Sequence, residues 1–362
     1  MSQTPFMTPE YSRKRRAQAA QRRRRRRLTA AGAVCVVLAA LAILVSGVLD
    51  GSSAGRAQPQ QSARTVHVSV HTAPALSAYG LPLSAPALAL TGPASPAQDP
   101  VQIPFHHPPR AGMLINLDTG QILWQRNPHL RVPIASLTKM MTALLTVERT
   151  TPHQPVLITK AAIETSGSKV GVLPLGRHVP AESLMYGLLL PSGNDAAVAL
   201  AQHDAGSVGA FVRDMNRRAA QLGMGCTRYS SPSGFYNDGN FSCAADLALL
   251  AHVDLLQPRI ARVVHAYSAA LPFPIKGGKL WLYNNNPLLI YHYPGITGMK
   301  TGYTIAAGRC LVATAERDGV HLAAVVLNSI EPGGQAAKLL NAGFYGVYHL
   351  PPVPEPEIPP GA

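Results

Sequence analysis

The sequence predicts a mixed α/β (α+β) domain built on an antiparallel sheet, and three observations carry the prediction. Cys310-Leu311-Val312-Ala313-Thr314-Ala315 and the stretch from Val320 to Leu327 are apolar strand patterns joined through Arg317-Asp318-Gly319, a hairpin signal. The stretch from Met113 to Trp124 carries a second hairpin around Asp118-Thr119-Gly120. Between the hairpins, apolar residues recur at helical offsets: Leu137, Met140, Met141, Leu144 and Leu145, then Leu184, Met185, Leu188 and Leu189.

Taken in order, the chain opens with a basic arm. Residues 1–27 hold ten Lys and Arg against one acid, Glu10, which is +9 of the chain's net +14. Leu28 to Leu49 then runs without a charge, long enough to cross a hydrocarbon core of about 30 Å. Basic residues ahead of an apolar span predict a cytoplasmic N-terminus and an exported body. An arginine run also suits nucleic acid, but beside an apolar span the membrane reading wins, so no nucleic-acid partner is expected. Ser52-Ser53-Ala54 is a small-residue cleavage site. The long arm and long span favour an uncut anchor; a cut near residue 54 would instead release a secreted protein.

Residues 50–110 hold ten of the thirty-two prolines and show no helical period. They read as a disordered linker that cannot bury enough surface to order itself. His106-His107 belong to this linker. No metal-ligand spacing and no glycine-rich phosphate loop occurs, so neither metal nor cofactor is expected. Residues 111–350 remain for one catalytic domain, followed by a Pro-rich tail at 351–362. Helices are expected near 208–222, 245–256 and 335–346. Outside the cytoplasm a disulfide persists, and Cys226 with Cys243, in the loop-rich stretch between two of those helices, is a candidate pair. Cys310 lies in an apolar strand and reads as a small buried residue.

Three short motifs stand in order: Ser136-Leu137-Thr138-Lys139, Ser192-Gly193-Asn194 and Lys300-Thr301-Gly302. The spacing Ser-x-x-Lys occurs twice. Ser136 and Lys139 lie at the first turn of an apolar helical stripe and share a face. Ser166-Gly167-Ser168-Lys169 is followed by Gly171 and Pro174 without a period and reads as loop. A serine hydroxyl is a weak nucleophile and needs a base within hydrogen-bond reach. A lysine serves only when neutral, which at pH 7 costs an unshifted amine about 4.6 kcal/mol. Burial and a second cation, here Lys300, both lower that cost. Pro191 stops the helix ending at Leu190, and Asp195 is a capping type of residue opening the next. Ser192 and Asn194 therefore project from the corner, Ser192 as a proton relay and Asn194 as an orienting group for Lys139 and the substrate amide. Lys300 is expected on an accessible edge strand. There an extended peptide can pair, Gly302 permits close approach, and Lys300 with Thr301 meets a carboxylate. Backbone N–H groups of Ser136 and of that strand would form an oxyanion hole.

The trio is that of penicillin-recognising serine enzymes. From about Ala111 to about Tyr348 the chain resembles the serine-type D-alanyl-D-alanine carboxypeptidases, the low-molecular-weight penicillin-binding proteins. Long segments carry the resemblance: Met113 to Trp124, Leu188 to Ala201 around Pro191-Ser192-Gly193-Asn194-Asp195, and Gly298-Met299-Lys300-Thr301-Gly302-Tyr303-Thr304 with Ala307-Gly308 after it. The resemblance implies a DD-peptidase/β-lactamase-like fold, an antiparallel sheet flanked by helices plus a mostly helical subdomain. It implies Ser136, Lys139 and Ser192 as catalytic residues and Asn194, Lys300, Thr301, Gly302 and Tyr303 as substrate contacts. It further implies peptidoglycan stem peptides ending in D-Ala-D-Ala as substrate and β-lactams as covalent inhibitors.

Two departures from the family pattern stand out. The stretch Asn328 to Gln335 lacks the usual basic residue, which shifts carboxylate binding onto Lys300, Thr301 and Thr304. The C-terminal stretch reads as a stiff polar tail rather than a membrane helix. Two alternatives share the pocket, a β-lactamase and a non-catalytic penicillin-sensing or wall-binding domain. A class A β-lactamase needs a glutamate for deacylation, and none occurs between Glu182 and Glu316.

Overall fold

The computed structural model describes residues 88–235, 239–275, 277–359 and 361. The basic arm and the apolar span at 28–49 lie outside these residues, and among the described residues no helix is long and apolar enough to cross a membrane. The first half of the domain contains β1 (Ala111–Asn116), β2 (Ile122–Arg126), β3 (Val132–Pro133), α1 (Lys139–Arg149), β4 (Pro155–Leu157), α2 (Lys160–Glu164), β5 (His178–Pro180), α3 (Ala181–Leu189), α4 (Asn194–Ala205) and α5 (Val208–Gln221). The second half contains β6 (Phe241–Ser242), α6 (Ala244–Leu255), α7 (Pro258–His265), β7 (Ser268–Pro272), β8 (Lys279–Tyr283), α8 (Pro287–Ile290), β9 (Ile296–Thr304), β10 (Gly308–Arg317), β11 (Val320–Ser329) and α9 (Pro332–Asn341).

The main sheet has five strands in the order β2-β1-β11-β10-β9, and every neighbouring pair is antiparallel. Both predicted hairpins are present. In the β10–β11 hairpin, Arg317 pairs with Val320, and Asp318 (φ 49°) with Gly319 (φ 78°) turns in the left-handed region, the backbone sign that a tight hairpin needs. Successive residues of each strand face opposite sides. Met113, Ile115, Val312, Ala323 and Val325 join a core with the helical part, whereas Leu114, Leu311, Ala313 and Val326 join a second core with Leu339, Leu340 and Phe344. Because both faces are covered, the central strands read as nearly unbroken apolar runs.

The helical part is centred on α1, which is buried from Lys139 through Glu148. A helix buried all round belongs at the middle of a core. Around it, α4 ends at Gly206 in the left-handed conformation, and the Ser207 side chain accepts from Ala210 N to start α5. The helix expected at 335–346 is α9, continued by a π-helical turn over Ala342–Val347. Cys226 and Cys243 are disulfide-bonded, and Cys310 is free and buried.

Composition misleads at both ends of the domain. Residues 88–110, read as part of a disordered linker, lie against the sheet: Thr91 bridges to Gln121, Val101 is buried, and the Asp99 carboxylate accepts from Gln125 N at 2.8 Å and Gln125 Nε2 at 3.1 Å. The Pro-rich tail likewise packs, with Ile358 on the second core and Arg317 donating to the Pro351 carbonyl. A few anchoring contacts suffice there, and an average over composition does not see them.

Candidate active site

The first motif lies between two short devices. β3 pairs with β6, and the chain then turns through Ala135 (φ 48°) into a tight 3-10 turn over Ala135–Thr138 that leads directly into α1. In this turn Ala135, Leu137 and Thr138 are buried while Ser136 stays partly exposed. The turn thus pins the backbone in the core and leaves one hydroxyl partly exposed.

Lys139, the first residue of α1, is fully buried. Its Nζ lies 2.9 Å from Ser136 Oγ, 2.8 Å from Asn194 Oδ1 and 2.8 Å from the Ser233 carbonyl oxygen. Two of these neighbours can only accept a hydrogen bond, and the third is a hydroxyl. A neutral amine satisfies all three: it donates to Asn194 and Ser233, and its lone pair accepts from the Ser136 hydroxyl. Burial pushes the Lys139 amine well below the usual lysine range, the Lys300 cation adds to the push, and the Asp195 carboxylate opposes it. Geometry and electrostatics together place a buried amine with a lowered proton affinity against the Ser136 hydroxyl.

The second motif lies at the corner between α3 and α4. Ser192 takes φ 65°, and a Cβ on Gly193 would stand 2.7 Å from Asp195 Oδ1 and 2.9 Å from the Gly187 carbonyl, so only glycine fits there. α4 begins at Asn194, one residue before the expected Asp195, with Gly193 as its N-cap. Asp195 instead binds the neighbouring loop, accepting from Val170 N at 2.9 Å and Gly171 N at 3.0 Å. Asn194 Nδ2 donates to the Ser166 carbonyl at 2.6 Å, which leaves Oδ1 facing Lys139. Ser192 Oγ is buried and has no hydrogen-bond partner among the described residues. A buried hydroxyl of this kind is ready to bond a ligand or pass a proton.

The third motif lies on β9, the edge strand of the main sheet. A Cβ on Gly302 would stand 2.9 Å from the Ile134 carbonyl and 3.1 Å from Ser136 N, so the bare Cα lets β9 lie against the Ser136 turn. Lys300 is on the same pleat as Gly302. It is buried, donates to the Thr301 carbonyl at 3.0 Å, and is pushed down to about 7 by burial. Thr301 is partly exposed, and Tyr303 is exposed beneath the Arg309 guanidinium, 5.7 Å from its ring centroid. Arg309 of β10 thus supplies a basic group beside the end of the strand, where the sequence lacks one at 328–335. Thr304 Oγ1 accepts from Ala307 N at 3.1 Å and helps build the β9–β10 turn.

The structure gathers Ser136, Lys139 and Asn194 by direct bonds, places Gly302 against the same turn, and brings Lys300 within electrostatic reach of Lys139. The second Ser-x-x-Lys copy is a loop, with Lys169 donating to the Ile163 carbonyl at 2.7 Å. Sequence reasoning does not reach two parts of the site, the carbonyls of Ser233 and Ser166. Any residue type offers a carbonyl, so no side-chain signal marks them.

An edge strand beside a Ser–Lys pair, with a second lysine and a buried hydroxyl, brings together the groups that acyl transfer to a serine requires. Residues 98–331 match the D-alanyl-D-alanine carboxypeptidase family, and the chain belongs to that family. It is 34% identical over 246 residues to the D-alanyl-D-alanine carboxypeptidase DacF of Bacillus subtilis, covering 66% of this chain and 62% of that protein. It is 36% identical over 245 residues to a D-alanyl-D-alanine carboxypeptidase of Mycobacterium tuberculosis, covering 66% of this chain and 82% of that protein. The fold is similar to that of a Streptomyces DD-transpeptidase (studied as a mutant), with TM-score 0.63 and 31% identity over 67% of this chain and 99% of that one.

Proposed function

We propose that the protein is a serine-type D-Ala-D-Ala carboxypeptidase acting on peptidoglycan stem peptides, with Ser136 as nucleophile. The observation that carries this reading is the 2.9 Å contact of Ser136 Oγ with a lysine amine that is fully buried. The Ser136 hydroxyl gives its proton to Lys139 as its oxygen attacks the carbonyl of the penultimate D-alanine. The oxyanion formed there meets the Ser136 N–H and an N–H of β9. Ser192 passes the proton to the nitrogen of the departing D-alanine, and the peptide bond breaks to leave an ester on Ser136. Protonated Lys300 and the Thr301 hydroxyl hold the terminal carboxylate, with Gly302 and Tyr303 lining the strand on which the peptide lies. Water then attacks the ester and restores the hydroxyl.

A β-lactam presents a carboxylate and a strained amide to the same groups and acylates Ser136. With no glutamate between Glu182 and Glu316, the penicilloyl ester is long-lived, which argues against the β-lactamase alternative. The basic arm and the apolar stretch at 28–49 support a tethered arrangement with a cytoplasmic N-terminus and a catalytic domain of about residues 111–350 outside the membrane. Incubation with a D-Ala-D-Ala pentapeptide tests the activity. Mass spectrometry should show the tetrapeptide and free D-alanine for the native protein and neither for Ser136→Ala. An intact pentapeptide after prolonged incubation of a protein that still binds penicillin would favour the penicillin-sensing alternative.

A further inference from the structure

The segment from Cys226 to Cys243 is a loop closed at its base by the disulfide. Near its end Asn240 is only 1% exposed. Its Oδ1 accepts from Ser230 N at 3.0 Å and from Ser231 N at 3.3 Å, and its Nδ2 donates to Ser231 Oγ at 2.8 Å. Chemistry fixes this orientation: a backbone N–H only donates, so the carboxamide oxygen must face the two that converge on it. Ser231 Oγ also accepts from Gly234 N at 3.0 Å. The Ser231 hydroxyl thereby closes a turn over residues 231–234.

That turn aims two carbonyls at one face of α1. The Pro232 carbonyl accepts from Thr142 Oγ1 at 2.7 Å, and the Ser233 carbonyl accepts from Lys139 Nζ at 2.8 Å. The turn is seated tightly, because a Cβ on Gly234 (φ 75°) would stand 1.8 Å from the Ala135 carbonyl oxygen. A neutral amine that must point its lone pair at Ser136 can still spin about its Cε–Nζ bond. The Asn194 Oδ1 anchor alone leaves the lone pair free to swing off the hydroxyl. A second anchor removes that freedom.

We propose that Asn240 is a positioning residue for acylation, acting through Ser231 to aim the Ser233 carbonyl at the Lys139 amine. The proposal rests on the roles given above to Ser136 and Lys139. It predicts a loss confined to the chemical step, because the carboxylate and strand contacts of the ligand are elsewhere.

The test uses a fluorescent penicillin and measures non-covalent binding and the acylation rate constant separately. Asn240→Ala should lower the rate constant by roughly ten- to a hundredfold, the size expected for a displaced reacting group, and leave the binding constant little changed. Asn216→Ala is the control. Asn216 holds the same loop at Tyr229, accepting from its N and donating to its carbonyl, both at 2.9 Å, and its remaining hydrogen bond is to the Val212 carbonyl rather than to the 231–234 turn. It should cost stability but little rate. If Asn240→Ala does not fold, Ser231→Ala removes only the hydroxyl that closes the turn and should show the same rate-selective loss. The proposal is overturned if the folded variant acylates at the native rate, or if Asn216→Ala loses as much rate. A native protein that fails to acylate at all would instead fault the reading of Ser136.

Discussion

In the proposed reaction Lys139 is the base, and its three neighbours decide where its lone pair points. Two acceptors and one hydroxyl around a buried amine leave its lone pair a single direction to point. Lys139→Ala should therefore cut the penicillin acylation rate by about 10²- to 10⁴-fold, the usual worth of a general base, in a protein with an unchanged circular dichroism spectrum. The proposed contact of Lys300 with the substrate carboxylate carries a pH dependence. Pushed down to about 7 by burial, the Lys300 amine loses its proton as pH rises through that value and with it the charge that meets a carboxylate. For a peptide substrate, kcat/KM should fall on the alkaline side with an apparent pKa near 7, since that ratio reports the free enzyme. A profile flat from pH 6 to 9 would remove Lys300 from carboxylate binding. Gly302→Ala adds a Cβ 2.9 Å from the Ile134 carbonyl, so β9 must back away from the Ser136 turn, and acylation should slow. Ser136, Lys139 and Asn194 were legible in the sequence because side-chain chemistry and spacing mark them. The Ser233 and Ser166 carbonyls were not, because their function belongs to the backbone and only the fold brings them to the site.

Elements were legible where a local rule decides them. The β10–β11 turn is written in Asp318-Gly319, the two residues that take positive φ. The end of α3 is written in Pro191. The start of α4 was read one residue late, because the carboxylate of Asp195 is spent on Val170 and Gly171 of a distant loop. Residues 88–110 were misread for a related reason: their order comes from Gln125 and Gln121 of the sheet, not from their own pattern. The disulfide was open to sequence reasoning only as a candidate, since the three cysteines Cys226, Cys243 and Cys310 permit more than one pairing. It closes the loop that carries Ser233, its ends separated by 17 positions in sequence. Replacing Cys226 and Cys243 by serine should lower stability by about 3 kcal/mol, the chain-entropy value for a loop of this size. Thermal melts of the oxidised, reduced and serine forms would check this, the last two agreeing.

At the scale of the molecule, stability carries a pH signature from buried carboxyls. Asp204 keeps part of its residue surface exposed, yet its Oδ1 is shut off from solvent without a partner among the described residues, while Oδ2 accepts from Thr146 Oγ1 at 3.0 Å. Burial raises this carboxyl from 3.8 to about 7. The folded protein thus holds a proton that the unfolded chain releases across that window. Its contribution is fully present below about 4 and is lost as pH rises to about 7. Measured by denaturant unfolding, the stability of the native protein relative to Asp204→Asn should therefore decline between those values. A constant gap would mean that Asp204 titrates normally. At the same scale, an edge strand with an exposed Tyr303 suits the extended peptide of the proposed substrate.

The most direct measurement is the location of a penicillin adduct. After brief incubation with penicillin, digestion and mass spectrometry should place a single penicilloyl group on the peptide containing Ser136, with the adduct lost in Ser136→Ala and strongly reduced in Lys139→Ala. An adduct on Ser192, on Ser166 or on any other residue, or full labelling of Lys139→Ala, would contradict the account.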